Sequence, residues 1–257
     1  MRPQEQVRDA DGYIIEHYTG TKWIRTKKIA DPRAEEVSIT GLKSGKNYKF
    51  RIKSYRFVDG VAYYSDVSST LTACTKPAKP TAKMTLNSSS SIRIGWDAIS
   101  GANGYIIYVK KDGAWARIGK VTSGSTVTYS ATGLSSGTTY EFKVYAYKTL
   151  GGKAYYSAAS TVFKGCTKPA KVSAKVSSAT ASSVTLSWNK VTGANGYIIQ
   201  QYKDGAWVRV GKTTSTSLTV SSLASGTTCE FRVCAYKSLS GKAYYGSYSA
   251  TVTATTK

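Results

Sequence analysis

Four cysteines, one histidine and fourteen carboxylates are the side chains from which any catalysis or metal binding in this chain would have to be built. They are poorly arranged for either. Cys74 and Cys166 are 92 residues apart, and Cys229 and Cys234 are five apart, with no Cys-x-x-Cys among them. The single histidine, His17, has no second imidazole to share a metal with. From residue 77 onward the acids are only Asp97, Asp112, Glu141, Asp204 and Glu230. They are scattered singly, so the paired carboxylates of glycoside chemistry are missing. The glycines sit in turn-like contexts and none forms a phosphate-cradling loop. No catalytic residue, metal or cofactor is expected, and the chain reads as a protein that is not an enzyme.

Binding chemistry is better represented. Tyr-Tyr pairs occur at Tyr63-Tyr64, Tyr155-Tyr156 and Tyr244-Tyr245. Neighbours on a strand point to opposite faces, so one ring of each pair should pack and the other should meet water. An exposed Tyr near Lys can stack on a sugar ring or touch a protein partner; the plainer role is to brace a hairpin and the adjoining domain. Trp23, Trp115 and Trp207 each precede an arginine by two residues: Arg25, Arg117 and Arg209. Residues two apart on a strand share a face, so each Trp–Arg pair is expected to form a cation–π contact or half of a ligand platform. The formal charge is +22. Such a field attracts polyanions, from teichoic acids and anionic glycans to nucleic acid or acidic lipid. The lysines are spread rather than clustered, so a solvated surface with no specific nucleic-acid partner is the simpler reading. There is no Arg-Gly-Asp sequence. No stretch is apolar for the ~18–20 residues of a membrane helix, and the first residues, MRPQEQVRDADGY, lack the apolar core of a signal peptide.

The elements that position these residues follow from an internal repeat. GANGYIIYVKKDGAWARIG around Tyr105 recurs as GANGYIIQQYKDGAWVRVG around Tyr197, and more weakly as DADGYIIEHYTGTKWIRTK around Tyr13. The tyrosines are spaced by 92 residues each time, and Trp23, Trp115 and Trp207 keep the same spacing. Further on, GLKSGKNYKFRIKSY matches GLSSGTTYEFKVYAY and SLASGTTCEFRVCAY. A period near 90 is the size of a small sandwich domain. In the third copy strands are expected at 172–176, 183–188, 197–202, 207–212, 217–220, 229–237 and 248–255. Ser183–Trp188 alternates apolar and polar, and Asp204-Gly205 supplies the positive φ of a tight hairpin. Seven short strands with regular turns predict an all-β, Greek-key sandwich.

These residues resemble the fibronectin type III family, in the tandem form found in extracellular or surface proteins of Gram-positive gut bacteria. The carriers are IGW at Trp96 and LSW at Trp188, the GYII strands, and the pattern from Leu134 to Val144. The resemblance implies an immunoglobulin-like fold with cores centred on Trp96, Tyr105 and Phe142, and on Trp188, Tyr197 and Phe231. It also places Tyr48 and Tyr140 at a tyrosine corner, a hydroxyl bonded back to the preceding backbone. Cys229 replaces that tyrosine in the third copy, so its corner should lack one hydrogen bond, worth about 0.5–1.5 kcal/mol.

Three units are expected: 1–76, 77–168 and 169–257. The first is incomplete. Trp188 lies nine residues before Tyr197, but nine before Tyr13 is Gln4, so the first two strands are missing or altered. A fragment cut inside a domain, a misplaced start, or a gap filled by another molecule's strands would each account for this. Cys229 and Cys234 would lie about 16 Å apart on opposite faces of one strand, and Cys74 and Cys166 one domain apart. No disulfide is expected. Cys74, Cys166 and Cys229 read as small hydrophobes at strand ends. Cys234 is expected to face outward as the one candidate for an intermolecular bridge. Short linkers, CTKPAKPTAK and CTKPAKVSAK, are stiffened by proline.

The expected function is a structural or spacer module of a bacterial extracellular or surface protein, with weak adhesion, whose partners are other domains of the same parent. The alternatives are a module binding cell-wall or dietary polysaccharide, and a filament subunit associating head to tail through the truncated first copy.

Overall fold

The computed structural model describes residues 9–257, and it is built from β-strands and turns with no helix among them. The first repeat contributes β1 (Gly12–Tyr18), β2 (Trp23–Ile29), β3 (Asn47–Val58), β4 (Val61–Tyr64) and β5 (Leu71–Cys74). The second contributes β6 (Ala82–Asn87), β7 (Ile92–Trp96), β8 (Gly104–Lys111), β9 (Ala114–Val121), β10 (Thr128–Ala131), β11 (Thr139–Leu150), β12 (Lys153–Tyr156) and β13 (Phe163–Cys166). The third contributes β14 (Ala174–Ala179), β15 (Ser183–Trp188), β16 (Gly196–Lys203), β17 (Ala206–Thr213), β18 (Ser217–Ser221), β19 (Thr228–Leu239), β20 (Lys242–Tyr245) and β21 (Val252–Thr255).

The second and third repeats have the same two-sheet plan. In the second, β10-β7-β6 forms one sheet and β12-β11-β8-β9 the other, with β13 also pairing β11. In the third, β14-β15-β18 faces β17-β16-β19-β20, with β21 on β19. The period-2 pattern explains the packing: along β15, Val184, Leu186 and Trp188 are buried while their neighbours are half-buried. Trp96, Tyr105 and Phe142 join one core, and Trp188, Tyr197 and Phe231 join the other. The buried tyrosines satisfy their hydroxyls on the turn that precedes their own strand. The Ile99 and Val191 amides each donate to Tyr105 and Tyr197 Oη at 2.9 Å. Asp112-Gly113 and Asp204-Gly205 both take positive φ, as the two-residue hairpin requires.

One element differs from the sequence-based expectation. The last strand of the third repeat, expected over 248–255, is only β21 (Val252–Thr255); β20 ends before the expected run begins, and 248–251 leaves the sheet. The break has a local cause. Ser249 Oγ accepts the Val233 amide at 3.1 Å. In the second repeat Ser157 and Ser160 Oγ accept the Ala146 and Val144 amides, each at 3.0 Å. These hydroxyls stand in for ladder carbonyls, so the chain leaves β19 and β11 and rejoins them without orphaning their donors.

The first repeat has one sheet, β2-β1-β3-β4 with β5 on β3. Among the described residues no strand precedes β1, and the segment equivalent to β10, 36–39, is not a strand. Gln4 lies outside the described residues. Among the described residues of this repeat no core cluster forms, whereas eight large apolar side chains are exposed, among them Phe57, Tyr63, Tyr64 and Leu71. Lys27 is diagnostic. Its counterparts are Gly119 and Gly211, where a Cβ would run into Tyr129 of β10 or Leu218 of β18. A lysine fits there because no such strand lies against it.

Candidate functional site

Two places gather the side chains singled out above: the outer face of the larger sheet in each repeat, and the joints between repeats.

On the outer face, each Trp of the β2, β9 and β17 strands stacks against a cation, but the cation is not the one expected. Arg51 lies 4.4 Å from the Trp23 ring centroid, Lys143 lies 4.3 Å from Trp115, and Arg232 lies 4.3 Å from Trp207. The pairing with Arg25, Arg117 and Arg209 is therefore corrected. The partner comes from the long strand β3, β11 or β19, two strands away across the sheet, with β1, β8 or β16 between them. A long cationic side chain reaches over the central strand, whereas same-strand neighbours two apart diverge with the twist. In the third repeat Arg232 also stacks on Tyr248 at 4.0 Å and donates to Gln200 Oε1 at 2.8 Å. In the first, Glu16 joins the cluster, bonding Arg51 at 2.7 Å and Lys53 at 3.1 Å. Burial pushes the Glu16 carboxyl up, but the Arg51 and Lys53 hydrogen bonds and charges outweigh it and hold the pKa below its ordinary value. One face of each Trp ring is thus already covered by an intramolecular cation, which makes it a poorer platform for a sugar ring.

Cys234 is the second correction. It is fully buried rather than open to solvent. It does point to the outer side of its sheet, but Ile198, Tyr236, Ala243 and Tyr248 close over it in a small second cluster. Burial raises its thiol pKa, which the nearby Tyr248 hydroxyl and Arg232 only partly offset. A protonated, covered thiol is a poor bridging partner. Cys229 lies in the main core, Cys166 is buried, Cys74 is half-buried, and all four are free thiols. The tyrosine corner is present twice: Tyr48 Oη accepts the Lys43 amide at 2.8 Å and Tyr140 Oη the Ser135 amide at 2.9 Å. Cys229 offers no hydroxyl at the third position. His17 is half-buried, with Nδ1 2.6 Å from Thr26 Oγ1. Among the described residues no three His, Cys, Asp or Glu side chains converge on a metal-sized site.

The Tyr pairs divide by repeat. Tyr155 and Tyr244 are half-buried while Tyr156 and Tyr245 are exposed. In the first repeat both Tyr63 and Tyr64 are exposed, against the expectation of one packed ring. Tyr244 sits close enough to Cys166 of the preceding repeat for that thiol to bear on its ionisation. Burial is the larger cause of the raised Tyr244 pKa, and Cys166 adds to it.

The joints carry the feature that residue-by-residue reasoning missed. The turn before β3 presents Gly45 to the turn before β8, at Ser100 and Gly101. The turn before β11 presents Gly137 to Thr192 and Gly193, before β16. All four glycines have φ between +61° and +73°. In each joint a Cβ on either partner would collide with backbone of the other. The receiving turn is held the same way each time. Gly45 N–H donates to Lys76 O and Gly137 N–H to Lys168 O, both at 3.0 Å. Thr75 and Thr167 Oγ1 accept the Lys46 and Thr138 amides, both at 3.0 Å, and donate to Lys43 and Ser135 O, both at 2.7 Å. Pro77, Pro80 and Pro169 in the linkers are buried. The second joint also borders an open cleft of about 620 Å³ lined by Ser88, Ser89, Ser90, Lys168, Lys171 and Ser247, among others. The signal in the sequence is only the joint recurrence of two turn glycines, one in LxSG and one in [ST]GANG.

A family model described as the fibronectin type III domain matches residues 75–163 and 167–255. Exoglucanase B of Cellulomonas fimi is 29% identical over 229 residues, which span 80% of this chain and 20% of that protein. Fibronectin type III domain-containing protein 7 of Mus musculus is 29% identical over 222 residues, 86% of this chain and 28% of that protein. The chain therefore spans less than a third of either relative. Among solved structures, the FN1–FN3 domains of chicken CNTN1 share 23% identity at a TM-score of 0.37, covering 97% of this chain and 90% of that one. A two-domain segment from chicken tenascin shares 16% at a TM-score of 0.43, covering 69% of this chain and 99% of that one.

Proposed function

Starting from the fact that the chain belongs to the fibronectin type III family, we propose that it acts as a non-catalytic spacer in a bacterial extracellular or surface protein, setting the distance between other domains of the same parent. The observation that carries this reading is the repeated joint. Gly45 against Gly101 and Gly137 against Gly193 use the same backbone contact, with linkers whose prolines are buried. A spacer needs joints that resist bending, and a contact that no side chain can enter provides that. The second reading is a module for cell-wall or dietary polysaccharide, with weak adhesion. It is supported by the charge of +22, by exposed Tyr156 and Tyr245, and by the lysine- and serine-lined cleft at the second joint. Its Trp residues argue against it, because Arg51, Lys143 or Arg232 already covers one face of each ring. A third reading, a filament completed by strand addition, draws on the open sheet of the first repeat.

A glycan array that includes teichoic and acidic polysaccharides, read at two salt concentrations, separates the first two. The spacer reading expects no binding that survives the higher salt; retained binding lost on Tyr156→Ala and Tyr245→Ala would replace it. Size-exclusion chromatography addresses the third: a monomer at all concentrations excludes it, and concentration-dependent fibres support it.

A further inference from the structure

We propose that the turn around Gly226 in the third repeat is a preformed docking seat for one more fibronectin type III repeat, tethered after Lys257 and carrying glycine in the turn before its GYII strand. The proposal rests on the spacer reading above. Gly226 is the counterpart of Gly45 and Gly137. Its φ is +68°, against +66° and +61° at the two occupied seats. The threonine half of the clamp is repeated: Thr256 Oγ1 accepts the Thr227 amide at 2.9 Å and donates to Ala224 O at 2.6 Å, while the Lys257 carbonyl accepts Ser225 Oγ at 2.6 Å in place of the glycine amide. Gly45 and Gly137 are buried under the next repeat, but Gly226 is exposed and nothing lies within 4 Å of where its Cβ would be. The turn is therefore built for contact and has none.

The occupant follows from what the other two seats hold. Each receives a positive-φ glycine, Gly101 or Gly193, whose own Cβ would strike the seat carbonyl of Gly45 or Gly137. The entering carbonyl is steadied from its own repeat, Lys148 Nζ donating to Gly101 O at 3.3 Å and Lys237 Nζ to Gly193 O at 3.2 Å. The first repeat of a second copy does not fit. Its equivalent residue is Asp9, which shares the backbone conformation at φ +70° but carries a side chain where none is tolerated. Head-to-tail association of identical chains through this seat is thereby disfavoured. A contact of two turns is too small to hold partners from free solution, whereas a short linker raises the effective concentration to the millimolar range. The occupant is therefore a repeat joined directly to the seat, as the second and third repeats are to theirs.

The test extends the full chain by a second copy of residues 169–257 placed after Lys257, which recreates the Thr-Lys-Pro-Ala-Lys linker. Dyes at homologous exposed positions on neighbouring repeats report single-molecule energy transfer. The expected result is one narrow population for the third–fourth pair, matching the second–third pair. Gly226→Asn, which tolerates positive φ but adds a Cβ, should broaden the third–fourth distribution to that of a free tether. In the three-repeat chain the same change should leave a cooperative unfolding transition for the third repeat, which shows that the repeat still folds. Gly137→Asn should broaden the second–third pair. A broad third–fourth distribution with Gly226 intact, or indifference to Gly226→Asn, overturns the proposal while leaving the spacer reading in place. A broad second–third distribution in the unaltered chain overturns the spacer reading itself.

Discussion

Gln201 points into the core of the third repeat, where the second repeat has Val109 and the first has His17. It is almost fully buried and its Oε1 has no hydrogen-bond partner. Leaving a buried acceptor unpaired costs about 1–3 kcal/mol, so Gln201→Val should stabilise the third repeat by about 1 kcal/mol. A higher urea midpoint at unchanged slope would verify this, and a lower midpoint would show that the amide is satisfied. The single-residue expectations from sequence met mixed outcomes for a common reason. Alternation assigns a side chain to a face of its sheet, and Cys234 does lie on the side that alternation gives it. Alternation does not say what covers that face. Tyr236, two residues on in β19, shares that face, but Tyr248 from outside the strand also covers Cys234, and no period-2 pattern within β19 contains that information.

Along whole strands, the sequence was most legible where turns and apolar alternation coincide. Ser183–Trp188 is a strand over its full expected length, and the Asp-Gly hairpins fall where their positive φ places them. Contacts across strands were less legible, because they depend on twist and reach. The stack of Arg232 between Trp207 and Tyr248 joins β19 to β17 and to the segment before β21. A partly desolvated cation–π contact is worth about 1–2 kcal/mol. Arg232→Gln should therefore destabilise the third repeat by about that much and red-shift Trp207 emission; Arg209→Gln should do neither. In β1, the hydrogen bonds and charges of Arg51 and Lys53 outweigh desolvation and lower the Glu16 pKa. A depressed carboxylate adds stability above its unfolded pKa, and that stability is lost as pH falls through the folded value. Glu16→Gln should accordingly weaken the first repeat at neutral pH. The difference from the parent should vanish in acid, below the ordinary carboxylate range. Chemical denaturation followed at both pH values checks the sign, and a deficit that persists in acid would place the effect outside ionisation.

At the scale of the molecule, the repeat around Tyr105 and Tyr197 made the kind of unit legible, and the fibronectin type III model matches at 75–163 and 167–255. The spacing also exposed the anomaly of the first copy, whose described residues form a single sheet with eight exposed large apolar side chains. The joints were the least legible feature, because a glycine at a turn is over-explained by the turn itself and its second use appears only with a neighbour in place. The central claim is that Gly137 and Gly193 lock the second and third repeats together. Residual dipolar couplings of backbone amides in the two repeats test it most directly, because they report whether both share one alignment frame. The account predicts a single alignment tensor of equal magnitude for the two repeats. Two tensors of different magnitude, as for bodies reorienting about a loose linker, would contradict it.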